Sequence, residues 1–436
     1  MGVSKMSESQ RFGRVYEFLV DEEDSRVCKD IGDAACRVVP GNFLLILLAQ
    51  FINKLADTCS SAKLVIPWLF ASAGVPAFFS GLLVPIRESG SLLPQLAIAG
   101  VMRKWPKRKW FLVIGYTGQG LGLIAMAWVA THMEGAQAGW GVLAVLVFVS
   151  LSRGFSSVAS KDVIGKTIPK TRRGSLNGYS ASAAGVITLL FGIALALQLT
   201  EQWQNLAPLL IAAACFSFIT AVCFGFVNEY SGAVDGGGNA LKAALQSASI
   251  LLTDSDFRLF ISVRALMMCS GLSAPFFILI AQSSGEDQGL AGLGMFVLVG
   301  GLASMISGVV WGRFSDSSSR KVLIATALMI AVLCAVAALF EWLSLSALSV
   351  ILGLYFCLSI VHEGVRVGRK TYVLDLAGGQ KRTDYVAVGN TLIGVLLLVV
   401  GVLTAVLANQ SVFWALILFA LMALAAAALA TRLPEV

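Results

Sequence analysis

Residues 312–324 read Gly-Arg-Phe-Ser-Asp-Ser-Ser-Ser-Arg-Lys-Val-Leu-Ile, a short polar stretch with charges of both signs. It separates two long apolar runs, near residues 290–312 and 322–340, and each run has the roughly 20 residues that a transmembrane helix requires. The same alternation of long apolar runs and short polar connections continues in both directions along the chain. The pattern is typical of a protein that crosses a membrane many times.

The composition of the whole chain agrees with this interpretation. Of the 436 residues, 57% are apolar and only 13% are charged, whereas a water-soluble domain carries about 25% charged residues. The sequence therefore predicts an all-α polytopic membrane protein embedded in the lipid bilayer. The net charge of +7 is explained by membrane orientation, and a nucleic-acid binder is excluded.

Twelve apolar runs are long enough to be transmembrane helices. They lie near residues 42–66, 74–102, 110–131, 140–160, 178–199, 206–227, 257–281, 290–312, 322–340, 345–366, 384–407 and 411–430. We expect a cytoplasmic tail over residues 1–41, with an interfacial helix at Ser25–Val38, and a six-helix bundle over 42–227. A cytoplasmic linker over 228–256 and a second six-helix bundle over 257–436 follow, the arrangement of many secondary transporters.

The charges of the connections predict the orientation of the chain. The connections after odd-numbered spans contain Glu134, Glu201 and Glu286 but no Lys or Arg, whereas the even-numbered connections are rich in basic residues. Basic loops stay on the cytoplasmic side of a membrane. Residues 1–40 are polar and show no cleavable signal, so we expect both termini in the cytoplasm, with the protein in a bacterial inner membrane.

The stretch at 312–324 resembles the GxxxDxxxRKxxL signature of the major facilitator superfamily. Gly312, Asp316, Arg320 and Lys321 match it, and Ile324 replaces the final Leu. The first-half copy is degenerate: Gly100, Arg108, Lys109 and Leu112 match, but Lys104 stands where the Asp belongs. The resemblance implies the twelve-helix fold of that family. It also implies an inner gate formed by Gly312, Asp316, Arg320 and Lys321, with Asp316 as the main acidic group.

Several ionisable residues fall inside apolar runs, where a charge costs about 3 kcal/mol. Lys54 and Asp57 lie three residues apart, at a spacing that puts both on one face of the first span. Arg87 and Glu88 are adjacent in the second span, so their side chains point about 100° apart and only one of them reaches the charges of the first span. The others are Lys63, Arg153, Arg264, His362, Glu363 and Arg366.

The resemblance implies that the first, fourth, seventh and tenth spans line a central cavity, and each of these carries a charge. Basic residues outnumber acidic ones, and guanidinium groups match carboxylate or phosphate groups. We therefore expect an anionic substrate bound by Lys54, Arg87, Arg153, Arg264 and Arg366, with Asp57, Glu88 and Glu363 as proton-coupling residues. The alternative for each residue is a structural ion pair: Lys54 with Asp57 or Glu88, and Glu363 with Arg366.

Other chemistry is not indicated. The eight cysteines have no metal-ligand spacing, His362-Glu363 lacks the second His of a zincin motif, and no phosphate loop is found. We expect no cofactor and no metal.

The sequence thus predicts a monomeric secondary transporter, not an enzyme, that moves a small anionic organic solute by alternating access with proton symport. An efflux antiporter and a uniporter of the same fold remain open. So does a different class, a transporter-like membrane sensor or a membrane-embedded enzyme. Saturable flux in proteoliposomes distinguishes transport from product formation without flux.

Overall fold

The computed structural model describes residues 37–102, 104–197, 207–231, 250–283, 289–345, 347–376 and 381–435. Helix is the regular structure of these ranges, and nine of their helices are long and apolar enough to cross a membrane. The expected interfacial helix at Ser25–Val38 falls almost entirely outside the described residues, as does most of the expected linker.

The helices form two consecutive groups. The first group contains α1 (Val39–Cys59), α2 (Val65–Ser72), α3 (Ala77–Leu92), α4 (Gln95–Met102), α5 (Lys109–His132), α6 (Gly135–Thr167), α7 (Lys170–Ala196) and α8 (Ala207–Phe226). The second contains α9 (Ile250–Thr253), α10 (Ser255–Leu266), α11 (Cys269–Leu272), α12 (Ala274–Gln282), α13 (Gly289–Ser317), α14 (Ser319–Trp342), α15 (Leu348–Leu376), α16 (Lys381–Gln410) and α17 (Val412–Ala430). Each of the twelve predicted apolar runs contains helix.

The predicted end of the first span at residue 66, with a connection up to residue 73, is wrong, because residues 67–72 belong to α2. The first helix is instead interrupted between Cys59 and Val65. The hydroxyls of Thr58 and Ser60 donate to the carbonyl oxygens of Lys54 and Ala56, at 2.8 and 2.7 Å. Such side-chain bonds compete with the backbone ladder and weaken a helix. The interruption leaves Lys63 in a non-helical segment inside the bundle.

Several helices extend beyond their predicted ends, and α6 and α15 extend the furthest. The predicted ends at residues 160 and 366 become Thr167 in α6 and Leu376 in α15. Hydropathy marks only the apolar part of a helix, whereas the helix itself continues through polar turns whose backbone bonds are still made. The extension of α15 carries Arg369, which the sequence analysis did not consider.

The two groups of helices pack along two seams, α3 against α16 and α7 against α13. Glycines make the approach possible. A Cβ atom at Gly81 would lie 2.9 Å from the Ala405 Cα, and one at Gly192 would lie 2.6 Å from the Leu298 nitrogen. Small residues allow helix backbones in membranes to approach closely.

The bundle has two distinct ends. We call the end that contains Arg108, Lys166 and Arg320 the basic end. Towards the opposite end the two groups are in contact, since the rings of Trp68 in α2 and Phe296 in α13 have centroids 6.3 Å apart. The seams and this contact leave a space between the groups that extends towards the basic end.

Candidate functional site

A cavity of about 490 Å³ lies between the two groups of helices. Its wall includes Phe260 and Leu323, each within two turns of the start of its helix, so the cavity extends towards the basic end. Seven basic and two acidic side chains line it: Lys54, Lys63, Arg87, Arg153, Arg264, Arg366, Arg369, Asp57 and Glu88. The cavity therefore has a surplus of fixed positive charge.

Asp57 of α1 is the centre of an ion-pair cluster. Its Oδ1 atom lies 3.0 Å from Arg87 Nη2 and 2.5 Å from Arg153 Nη1. Its Oδ2 atom accepts a longer bond from Arg153 Nη2, at 3.4 Å. The prediction that one residue of the Arg87–Glu88 pair reaches the charges of the first span is thus confirmed for Arg87. One carboxylate is shared between two guanidinium groups.

Lys54 does not pair with Asp57, contrary to one of the predicted alternatives. Among the residues that the structure describes, no ion pair or hydrogen bond of the Lys54 side chain is found. The reason is geometric, because two guanidinium groups from α3 and α6 reach the carboxylate, Arg87 through one nitrogen and Arg153 through both of its Nη atoms. The other predicted partner of Lys54, Glu88, is exposed to the cavity and likewise has no ion pair within the described ranges.

Glu363 and Arg366 form the predicted pair along α15, with 2.7 Å between Oε1 and Nη1. Arg264 of α10 is held differently. Its Nη2 atom donates to Asn390 Oδ1 at 2.8 Å, and its Nε atom is buried without a hydrogen-bond partner in the described part of the chain. A guanidinium has five N–H donors, so Arg264 retains donors that a ligand can use.

A hydrogen-bonded chain that the sequence analysis missed connects the two groups of helices. Lys63 Nζ lies 3.0 Å from His362 Nε2, and His362 Nδ1 lies 3.0 Å from Ser270 Oγ. The Ser270 hydroxyl donates to the Met267 carbonyl oxygen. The sequence signal was weak: the serines at 60 and 61 interrupt α1, and His362 stands beside Glu363 in an apolar run.

The gating residues predicted from the second-half motif lie at the basic end. Arg320 Nη1 donates to the Leu433 carbonyl oxygen at 3.0 Å, and Arg320 Nη2 lies 3.6 Å from Glu435 Oε2. The backbone N–H of Lys321 donates to Ser318 Oγ at the start of α14. Gly312 and Asp316 are in the last turns of α13, but the Asp316 side chain lies outside what the structure describes. The role of Asp316 therefore stays a prediction.

In the first half, Lys104 stands where the motif has its Asp. A different acid, Glu229, contacts Arg108 and Lys109 of the motif. The fully buried Glu229 carboxylate accepts the backbone N–H groups of Arg108 and Lys109, at 3.0 and 2.7 Å. Its Oε1 atom also lies 3.1 Å from Lys166 Nζ. A carboxylate at a helix N-terminus satisfies backbone donors and complements the helix dipole. Glu229 thus caps α5, a role the sequence analysis missed.

Asp162 of α6 extends this network. It forms ion pairs with Arg108 and, at 3.1 Å, with Lys166. Arg108 and Lys166 therefore each connect Asp162 to Glu229. Both acids come from parts of the chain far from the motif, which is why the motif alone did not indicate them.

The family model described as Major Facilitator Superfamily matches residues 46–396. The chain belongs to this superfamily. The family resemblance found at 312–324 is thereby confirmed. A search of curated proteins finds no match.

Solved transporter structures share this superfamily fold at low sequence identity. A variant of the nucleoside transporter NupG has a TM-score of 0.72 at 12% identity, covering 90% of this chain and 99% of that one. An inward-open structure of the xylose transporter XylE from E. coli has a TM-score of 0.66 at 12% identity, covering 91% and 97%. A POT family transporter in complex with 5-aminolevulinic acid has a TM-score of 0.68 at 11% identity, covering 89% and 94%.

Proposed function

We propose that this superfamily member is a secondary active transporter that moves a small anionic organic solute by alternating access, coupled to proton symport. The observation that carries the proposal is the surplus of basic side chains in the cavity between the helix groups. A fixed positive charge away from bulk water is stabilised by a ligand of opposite charge, and arginine binds carboxylates through two parallel hydrogen bonds.

The proposal includes the number of membrane spans and their orientation. We propose twelve spans in two six-helix halves, over 42–227 and 257–436, with a tail over 1–41 and a linker over 228–256. The basic end would face the cytoplasm together with both termini, because basic connections collect there. In a bacterial inner membrane, the monomer would then have a cavity that faces the cytoplasm in the present conformation.

The ion-pair cluster suggests how a proton is coupled to the solute. An anion that binds Arg87 or Arg153 competes with Asp57 for the same guanidinium donors. A carboxylate that loses its positive partners binds a proton more readily, so substrate and proton enter together. Glu88 and Glu363 are the other proposed proton-coupling residues, with Lys54, Arg264 and Arg366 completing the proposed substrate site.

The test of anion binding uses Arg264→Gln. We expect this change to weaken the binding of an anionic substrate by about 1.5–3 kcal/mol, the contribution of a hydrogen bond to a charged group. Binding is measured by thermal shift and calorimetry with a panel of organic acids and their uncharged amides. Arg258→Gln is the matched control, because Arg258 lies on the same helix, is exposed and does not line the cavity. Equal affinity in both variants contradicts the assignment of Arg264.

The test of the gate uses Asp316→Asn. If Asp316 closes the cytoplasmic side, this change slows transport in proteoliposomes while equilibrium substrate binding stays within a few fold. Asp256→Asn is a suitable control, since Asp256 is an exposed acid at the start of α10, at the same end of the bundle. Unchanged transport in the Asp316 variant removes this residue from the mechanism.

A further inference from the structure

The cavity continues into a chamber of about 200 Å³ whose walls have a different chemistry. The two spaces are continuous, since they share Lys54, Asp57, Ser61, Lys63, Ser270 and His362. Five arginines line the larger cavity, whereas the described residues that line the chamber include none. The guanidinium groups are therefore confined to one part of the combined space.

Hydroxyl groups have the opposite distribution. Only the shared Ser61 and Ser270 carry hydroxyls in the described lining of the larger cavity. The chamber adds five more, from four different helices: Thr58, Thr188, Ser304, Tyr355 and Ser359. The combined space thus has an arginine-lined part and a hydroxyl-lined part.

Thr58 and Ser304 of the chamber retain hydrogen-bonding capacity, whereas Tyr355 and Ser359 are hydrogen-bonded to each other. The Thr58 hydroxyl donates to the Lys54 carbonyl oxygen, but a hydroxyl oxygen has two lone pairs and can still accept. Ser304 has no hydrogen-bond partner among the residues that the structure describes, so it can both donate and accept. Such groups suit a ligand that brings its own hydroxyls, because a ligand without them would leave the Ser304 hydroxyl unpaired.

We infer that the transported solute is a small polyhydroxylated carboxylic acid, with its carboxylate among the arginines and its hydroxyls in the chamber. This inference rests on the proposed function and narrows its substrate class. A carboxylate is favoured as the charged group because Arg87 and Arg153 already hold one, that of Asp57. The chamber has the volume of about seven water molecules at ~30 Å³ each, so the hydroxylated part has only a few carbons.

The test compares matched ligands by calorimetry on the purified full chain. At six carbons the ligands are gluconate, hexanoate and sorbitol, and at three carbons they are glycerate, propanoate and glycerol. At one length or both, we expect the hydroxylated acid to bind at least tenfold more tightly than the plain acid and than the polyol. A site built to bond a ligand hydroxyl discriminates strongly against the analogue that lacks it.

Serine variants test whether the chamber causes the preference for the hydroxylated acid over the plain acid. Ser304→Ala combined with Ser359→Ala should reduce the preference for the hydroxylated acid below threefold, with the affinity for the plain acid unchanged within twofold. Ser262→Ala is the control and should keep the full preference, because Ser262 is exposed on α10 and lines neither space.

The outcomes separate this inference from the proposed function. Equal binding of plain and hydroxylated acids at both lengths overturns the inference but leaves anion transport standing. An unchanged preference in the double serine variant overturns the role of the chamber. Polyols that bind as tightly as the acids overturn the requirement for an anion, and binding of no acid at all overturns both proposals.

Discussion

A protein carrying Asp57→Asn is expected to lose solute accumulation driven by a pH difference while it still exchanges substrate across the membrane. The physical reason is that the amide cannot take up the proton that the carboxylate binds when the substrate displaces it from Arg87 and Arg153. Exchange requires no net proton movement and persists. Affinity for the anion should stay the same or rise, because no carboxylate competes for the two guanidinium groups. Counterflow and pH-jump uptake in proteoliposomes measure the two activities separately.

Glu88→Gln is the comparison that ranks the two candidate acids. It removes the same charge from the same cavity, but Glu88 has no ion pair among the described residues, so we expect accumulation to be reduced less. If the Asp57 and Glu88 variants, singly and together, still concentrate substrate on a pH difference alone, neither acid couples the proton. Glu363 would then be tested next, and after it a proton-independent uniport.

The structure also changes which second substitution should compensate for the loss of Asp57. The sequence predicts that Lys54 loses its ion-pair partner in Asp57→Asn. In the structure, however, Asp57 binds Arg87 and Arg153. A positive group that loses its buried partner destabilises the fold. In thermal unfolding, Arg87→Gln should therefore restore part of the stability lost in Asp57→Asn, and Lys54→Gln should not.

The second large effect is expected for Glu229→Gln, which should lower the free energy of unfolding by about 3 kcal/mol. This is the lower end of the range for breaking a buried ion pair. The substitution leaves Lys166 without one of its two acidic partners and replaces a charged cap of α5 by a neutral one. Thermal unfolding of the purified protein in detergent measures the change.

Glu435→Gln is the comparison at the basic end of the second half. Glu435 is 57% exposed and lies 3.6 Å from Arg320, so its loss should cost no more than about 1 kcal/mol, as for a surface ion pair. If the two variants unfold at the same temperature, Glu229 does not have the capping role that its buried geometry indicates.

Much of the fold could be predicted because hydropathy acts locally. A helix that crosses a bilayer must present roughly 20 apolar residues in a row, so each predicted run contains helix even though the edges differ. The charged residues within these runs also indicated a cavity, since Arg153 or Arg264 in an apolar segment requires a polar environment. The interruption of α1 was missed because Cys59 to Ser61 is no more polar than many helical turns.

The partners of the charged groups could not be predicted, since they depend on distances between helices. Asp57 and Arg153 are 96 positions apart in the chain, and Lys63 and His362 are 299 apart. Local spacing favoured Lys54 as the partner of Asp57, yet the carboxylate is bound by two arginines from other helices, one of them through two nitrogens. Glu229 illustrates the same limit, because it caps α5 from beyond α8, about 120 positions away in the chain.

The hydrogen bonds that His362 makes with Lys63 and Ser270 also make this histidine useful for spectroscopy. The protein has only two histidines. The other, His132, is exposed and stacks on Trp128 with ring centroids 4.9 Å apart, far from the cavity. Isotope labelling of histidine alone would therefore give only two sets of imidazole resonances in a nuclear magnetic resonance spectrum. His132 would provide an internal reference, and the chemical shift of His362 would report on whether its hydrogen bonds to Lys63 and Ser270 remain intact.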